Sequence, residues 1–323
     1  MVKAVRVNET GGPDVLELVD IELEPPGPGM VRVVNEAIGL NYIDTYHRSG
    51  LYPLPLPTGI GLEGAGLVTA VGEGADFAVG DRVAYSTAGV GSYAEALNLP
   101  SARLVQVPDA ITFEQAAAIL LKGQTAEYLV QRTYPLAAGE TCLFHAAAGG
   151  VGLIFGRWAS SLGATVIGTV GSDDKAALAR AHGFHHVINY RTESVLERVM
   201  EITGGEKLAV VYDGVGKDTF EMSLDCLRPR GLMISFGNAS GSPEAFDLQE
   251  LAGRGSLYIT RPTLFTYTAS TEELRASANA VFECLLSGTI KIEIGQRYQL
   301  SEVQQAHKDL EARKTSGSSV ILP

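Results

Sequence analysis

The spacing of apolar and polar residues changes near Thr112. Before it, residues 3–7 and 31–37 alternate apolar and polar, the period of half-buried strands. Residues 67–71 and 81–85 are further short β-rich runs, bounded by Gly72-Glu73-Gly74 and Gly80-Asp81. The breaker cluster Glu24-Pro25-Pro26-Gly27-Pro28-Gly29 separates the first two runs. So many short strands predict a barrel or sandwich. Thr112-Phe113-Glu114-Gln115 is a capping box that opens a helix. From residue 141 strands and helices then alternate. Strands are expected over 141–145, 165–170, 186–189, 208–213, 232–236 and 256–260, and helices over 152–162, 173–182, 194–203 and 219–227. Ile154, Phe155, Trp158 and Ala159 form one helical stripe, and Val195, Leu196, Val199 and Met200 another. Six apolar strands with crossover helices give an α/β fold, a doubly wound parallel sheet covered on both faces. Ser270-Thr271-Glu272-Glu273 and Ser301-Glu302-Val303-Gln304 read as two more capping boxes, and residues 319–322 as a last strand. The expected division is therefore residues 1–124 with 264–323 as one domain, and 125–263 as a dinucleotide-binding domain inserted into it.

Composition narrows the field. The length of 323 residues is about twice a typical domain, and 46% hydrophobic against 19% charged residues belongs to a folded chain. With 25 Lys+Arg against 37 Asp+Glu, the net charge of −12 lacks the basic footprint of a nucleic-acid binder. Cys142, Cys226 and Cys284 are odd in number and form no C-x-x-C pair. They point to a reducing, cytoplasmic setting. The first residues show no leader-like apolar region, and no apolar run is long enough to span a membrane. His182, His185 and His186 are read as a solvated surface group that diverges rather than binding metal. The 37 glycines do not signal disorder, because the apolar content is too high. Their placement is what matters.

Ala146-Ala147-Ala148-Gly149-Gly150-Val151-Gly152 follows a predicted strand and opens a predicted helix. Small residues there permit a tight turn and close approach of backbone to a pyrophosphate, and the helix N-terminus offers free N–H groups. An NAD site usually carries an acid about 20 residues on, at the end of the second strand. Here that strand ends at Val170, followed by Gly171 and Ser172. A small turn leaves room for a 2′-phosphate, and Lys175 can supply a point charge. Asp173 and Asp174 are assigned to capping and first-turn positions of the next helix. The preferred cofactor is NADPH.

Gly39-Leu40-Asn41-Tyr42-Ile43-Asp44 and Gly59-Ile60-Gly61-Leu62-Glu63-Gly64-Ala65-Gly66 resemble segments of the medium-chain dehydrogenase/reductase superfamily. In its zinc alcohol dehydrogenases these read G-x-C-x-x-D and G-H-E-G-x-G. Here Asn41 and Leu62 stand at the metal-binding cysteine and histidine places, and neither suits zinc. The chain is most similar to the zinc-free quinone oxidoreductase group related to zeta-crystallin. Further likeness lies in Leu121-Lys122-Gly123-Gln124-Thr125, Val187-Ile188-Asn189-Tyr190, Ser235-Phe236-Gly237-Asn238 and Thr260-Arg261-Pro262. The resemblance implies a GroES-like β-barrel domain packed on a Rossmann domain with a cleft between them, and homodimers. It implies that Lys175, Tyr190 and Arg313 hold the 2′-phosphate with help from Ser172. Asn41, Thr125, Gly150, Val151, Phe236 and Gly237 would line the cofactor.

Reducing a quinone asks little of a protein beyond aligning two rings, excluding water and donating to an oxygen that gains charge. Asn41, Tyr46, Tyr52 and Thr125 are the candidate donors, with no general acid assigned. The expected activity is metal-free, NADPH-dependent quinone reduction by hydride or electron transfer. Reduction of 2-alkenal or enone C=C bonds is the alternative on the same frame. A reading of another class is a non-catalytic NADPH-binding or RNA-binding protein, which the acidic balance disfavours.

Overall fold

A computed structural model describes residues 1–323, and the chain divides into two compact units. The first comprises residues 1–124, 268–286 and 292–323, and the second residues 125–267 and 287–291.

The first unit is mainly antiparallel. Its organising strand, Met30–Leu40, pairs with Glu63–Val71, Ala96–Pro100 and the C-terminal strand Ser318–Leu322. The inward half of that alternation buries Val31 and Val33 with Val68, Val83, Tyr85, Leu97 and Leu99. A second cluster joins Val5, Val7, Ile38, Leu40, Ile60 and Tyr93 to Leu300, Val303, Ala306 and Ile321. The chain's last residues thus pack on its first ones, and Ser319 lies opposite Leu40 beside the Asn41 segment.

Two sequence expectations fail in this unit. The strand-and-turn reading of its first part misses the helix Tyr42–Ser49. Asn41 N-caps it, with the Asn41 N–H donating to Asp44 Oδ2 at 2.9 Å, and Gly50 ends it at φ 82°. The capping box expected at Ser301 and Gln304 is displaced. Gln299 and Glu302 form it instead, ahead of the helix Val303–Glu311, with the Gln299 N–H donating to Glu302 Oε2 at 2.7 Å. Gln304 turns outward from the box and donates to the Leu16 carbonyl at 3.0 Å. The boxes at Thr112 and Ser270 both form.

The second unit is a six-stranded, wholly parallel sheet. Its order across the sheet is His186–Asn189, Thr165–Val170, Thr141–Phe144, Leu208–Asp213, Leu227–Ser235 and Tyr258–Thr260. Strand order therefore reverses between Thr141–Phe144 and Leu208–Asp213. This is the switch point at which doubly wound sheets bind ligands. Helices Gly150–Ser161, Asp173–Ala181, Val195–Ile202 and Phe220–Asp225 connect the strands. Leu143, Ile167, Ile188, Val199, Val211, Leu224 and Met233 form one buried core. The fifth strand begins at Leu227, earlier than its apolar run suggests, because Leu227 pairs with Leu208 before a register shift.

Candidate functional site

The glycine turn lies at the switch point. His145 donates its N–H to the Tyr212 carbonyl, and Ala147 to the Thr169 carbonyl, so the first strand's exit is fixed by both neighbours. Ala146 adopts φ 58°, a left-handed value uncommon for a residue with a side chain. Gly149 caps the helix Gly150–Ser161 in extended backbone. The N–H groups of Gly150, Val151 and Gly152 consequently have no carbonyl partner within the helix and are available to an anion. A Cβ on Gly152 would lie 2.5 Å from the Ala147 oxygen and 2.7 Å from that of Ala146. The glycine is therefore a packing requirement, and it lets the turn be this tight.

The second strand's end has its own arrangement. A Cβ on Gly171 would lie 2.5 Å from Tyr190 Oη and 3.6 Å from Arg191 Nε. A phenol hydroxyl and a guanidinium therefore overlie the position where NAD enzymes carry an acid. Ser172 caps the next helix, its Oγ accepting from the Lys175 N–H at 3.4 Å. Asp173 is tied back by Asn189 Nδ2 at 3.0 Å, as a first-turn carboxylate. On the other side of the switch point, Phe236 packs over Gly214, and a Cβ on Gly237 would lie 2.4 Å from the Gly214 oxygen. Asp213 caps its own turn, accepting from Val215 N–H, Gly216 N–H, Thr219 Oγ1 and Ser223 Oγ. Thr125 is buried at the start of this unit. The residues present fit a dinucleotide: a glycine cradle, a free helix N-terminus and an acid-free strand end with donors above it.

The first unit holds Asn41, Tyr46, Tyr52 and Arg313. Tyr46 and Tyr52 touch edge to face at 5.1 Å between ring centres. Asn41 lies in a buried polar network absent from the expected site. Its Nδ2 donates to Glu63 Oε2 at 2.8 Å. Glu63 is fully buried, accepts from the Leu121 N–H at 2.7 Å and pairs with Lys122 Nζ at 3.4 Å. Asp44 Oδ2, which caps Asn41, also accepts from Tyr93 Oη at 2.8 Å. Tyr93 meets His307 Nε2 at 3.1 Å, and His307 Nδ1 meets Arg48 Nη1 at 3.0 Å. Arg48 binds Glu311 through both Nη atoms, at 3.1 and 2.6 Å. Because guanidinium only donates, His307 accepts at Nδ1 and carries its proton on Nε2. Burial pushes the Asp44 carboxyl up to about 7, against the hydrogen bonds from Asn41 and Tyr93. Its Oδ1 is buried without any hydrogen-bond partner, which adds to the cost of the charged form. Burial, reinforced by the Arg48 charge, drives His307 down to about 3, so it stays neutral.

Glu63, Lys122, Asp44, Tyr93, His307 and Arg191 were not among the expected site residues. Glu63 and Lys122 did lie in the segments of family likeness, and Asp44 followed Asn41 at capping-box spacing. The histidine group needs one correction. His182 is not solvated: it is buried, with Nδ1 against the Leu178 carbonyl at 2.9 Å, because it caps the helix Asp173–Ala181. His185 accepts from the Val166 N–H, and no three His, Cys, Asp or Glu side chains converge to hold a metal.

A parallel dinucleotide-type sheet in one unit and an antiparallel unit in the other define a nucleotide-dependent dehydrogenase or reductase of the medium-chain type. Sequence comparison agrees: residues 27–109 match the alcohol dehydrogenase GroES-like domain, and residues 150–283 the zinc-binding dehydrogenase family. A quinone oxidoreductase of Pseudomonas aeruginosa is 55% identical over 325 residues, covering 100% of both chains. The crystal structure of Escherichia coli quinone oxidoreductase complexed with NADPH is 49% identical, with a TM-score of 0.98 over 99% of this chain and 100% of that one. A 2-haloacrylate reductase of Burkholderia is 43% identical, over 100% of this chain and 99% of its own. The chain belongs to the quinone oxidoreductase family of the medium-chain dehydrogenase/reductase superfamily. The residues do not fit the zinc in one matched family's name. Leu62 has no donor atom, and the Asn41 amide is engaged by Glu63.

Proposed function

We infer that the chain is a metal-independent, NADPH-dependent quinone oxidoreductase. The observation that carries this is the strand end at Val170. Gly171 stands there in place of an acid, beneath the Tyr190 hydroxyl and beside Arg191, one strand away from the glycine turn. The full-length likeness to quinone oxidoreductases, one of them an NADPH complex, supports it.

In this reading the N–H groups of Gly150, Val151 and Gly152 hold the pyrophosphate. Lys175, Tyr190 and Arg313 hold the 2′-phosphate, and Ser172 adds a hydrogen bond. Gly149 and Gly171 allow close approach, while Asn41, Thr125, Phe236 and Gly237 line the cofactor. When bound, the reduced nicotinamide supplies the hydride. Asn41 and Thr125, with Tyr46 and Tyr52, donate to the acceptor oxygen as it gains charge. The Tyr46–Tyr52 ring pair keeps water from that oxygen.

A second reading, reduction of an activated C=C bond, is favoured by the likeness to a 2-haloacrylate reductase. Steady-state turnover with NADPH separates them. Benzoquinone-type acceptors are expected to be reduced faster than 2-alkenals. Turnover of alkenals alone would overturn the quinone assignment. The chain further works as a homodimer in the cytoplasm and binds no nucleic acid. The exposed ring of Tyr258 on the sheet's edge strand, the free state of all three cysteines and the net charge of −12 support these in turn. No helix is long and apolar enough to cross a membrane.

A further inference from the structure

The Glu63–Lys122 ion pair has features that stability alone does not explain. Both groups are almost fully shielded from solvent. Buried ion pairs lose much of their attraction to desolvation, and an apolar pair of similar volume is often as stable or more so. The surroundings are nonetheless built for this pair. A Cβ on Gly39 would lie 2.2 Å from Glu63 Oε2 and 2.3 Å from the Ala117 carbonyl oxygen, so the strand Met30–Leu40 makes room with a glycine. Oε1 accepts the Leu121 N–H at 2.7 Å, which leaves Oε2 to Lys122 and Asn41.

The consequence falls on Asn41. An asparagine amide is nearly symmetric in shape and can present oxygen or nitrogen. A carboxylate only accepts, so it admits the nitrogen alone. The backbone is fixed at the same time, because Asp44 accepts the Asn41 N–H.

We propose that Lys122 and Glu63 act as positioning residues that lock the sense of the Asn41 amide for the reduction step. The pair would hold one N–H of Asn41 and leave the other to face cofactor or substrate. This rests on the quinone reductase reading above, in which Asn41 lines the reacting end.

The test uses the full-length enzyme with NADPH and 1,4-benzoquinone, reading melting temperature, NADPH affinity by nicotinamide fluorescence, and kcat and KM. Lys122→Met should lose melting temperature and kcat together. The double variant Glu63→Gln with Lys122→Met removes both charges. It is expected to regain most of the melting temperature while kcat stays down by about tenfold, as misplacement of a positioned donor costs, with any loss of NADPH affinity smaller than the loss of kcat. Return of kcat along with melting temperature would overturn the proposal and make the pair purely structural. Lys122→Arg provides an arm that needs no double variant, and it should keep kcat well above that of Lys122→Met. Equal kcat in the two would also overturn the proposal. A wild-type enzyme inert toward every quinone would instead contradict the functional reading beneath it.

Discussion

The two units carry their chemistry in opposite ways. In the second, the turn from Ala146 to Gly152 works through what is missing: most side chains are small or absent, and the first N–H groups of the helix have no carbonyl partner within it. In the first, the work is done by side chains from three helices, one strand and one loop. Asn41, Glu63, Lys122, Asp44, Tyr93, His307 and Arg48 form hydrogen bonds across as many as 259 residues of sequence. A backbone site is local and tolerates no added atoms. A side-chain network is non-local and tolerates no unpaired charge. Substitutions should therefore fail differently in each.

The largest effect is expected in the network. Arg48→Met leaves His307 and Glu311 without their donor, and should cost about 3 kcal/mol in urea denaturation. A loss under 1 kcal/mol would mean that the network is not a structural unit.

Next comes its pH dependence. Asp44, with its folded value raised to about 7, contributes stability at low pH that is lost as pH rises from about 4 to about 7. His307, lowered to about 3, contributes the reverse: stability is lost as pH falls from about 6.5 to about 3. The two slopes oppose each other in the wild type. Asp44→Asn should leave stability rising between pH 4 and pH 6.5, by on the order of a few kcal/mol. A flat profile for this variant would refute the His307 term.

In the second unit, Gly152→Ala forces a methyl against two carbonyl oxygens, and should cost about 1–3 kcal/mol in stability as well as NADPH affinity. Lys175→Ala and Arg313→Ala should each cost about 1–3 kcal/mol of NADPH affinity and leave NADH unchanged. Equal losses for both cofactors would refute their 2′-phosphate role. The smallest effect is Ser172→Ala, which removes a helix cap worth about 1 kcal/mol in thermal denaturation.

This contrast also explains what the sequence disclosed. The strands Thr165–Val170 and Leu208–Asp213 were legible to the residue, because a strand buried on both faces is a largely apolar run; the edge strand His186–Asn189 was legible from its short Val187-Ile188 pair between polar residues. The glycine turn was legible because its seven residues are consecutive. The helix Tyr42–Ser49 was hidden, because its signal is a single Asn-x-x-Asp cap and its buried face includes Asp44, Thr45, His47 and Arg48. Polar residues become interior there only because Glu311 and His307 arrive from the other end of the chain. The burial of His182 was equally invisible, since its partner is a backbone carbonyl. Glu63 and Lys122 carried a family likeness without a role. Their pairing depends on a strand and a helix meeting, and no spacing along the chain encodes that.

The most direct test is the ratio of kcat/KM for NADPH to that for NADH, with 1,4-benzoquinone as acceptor and no added metal. An acid-free strand end with Tyr190 above Gly171 predicts quinone reduction with a preference for NADPH of at least about tenfold. Equal use of both cofactors, or a preference for NADH, would contradict it.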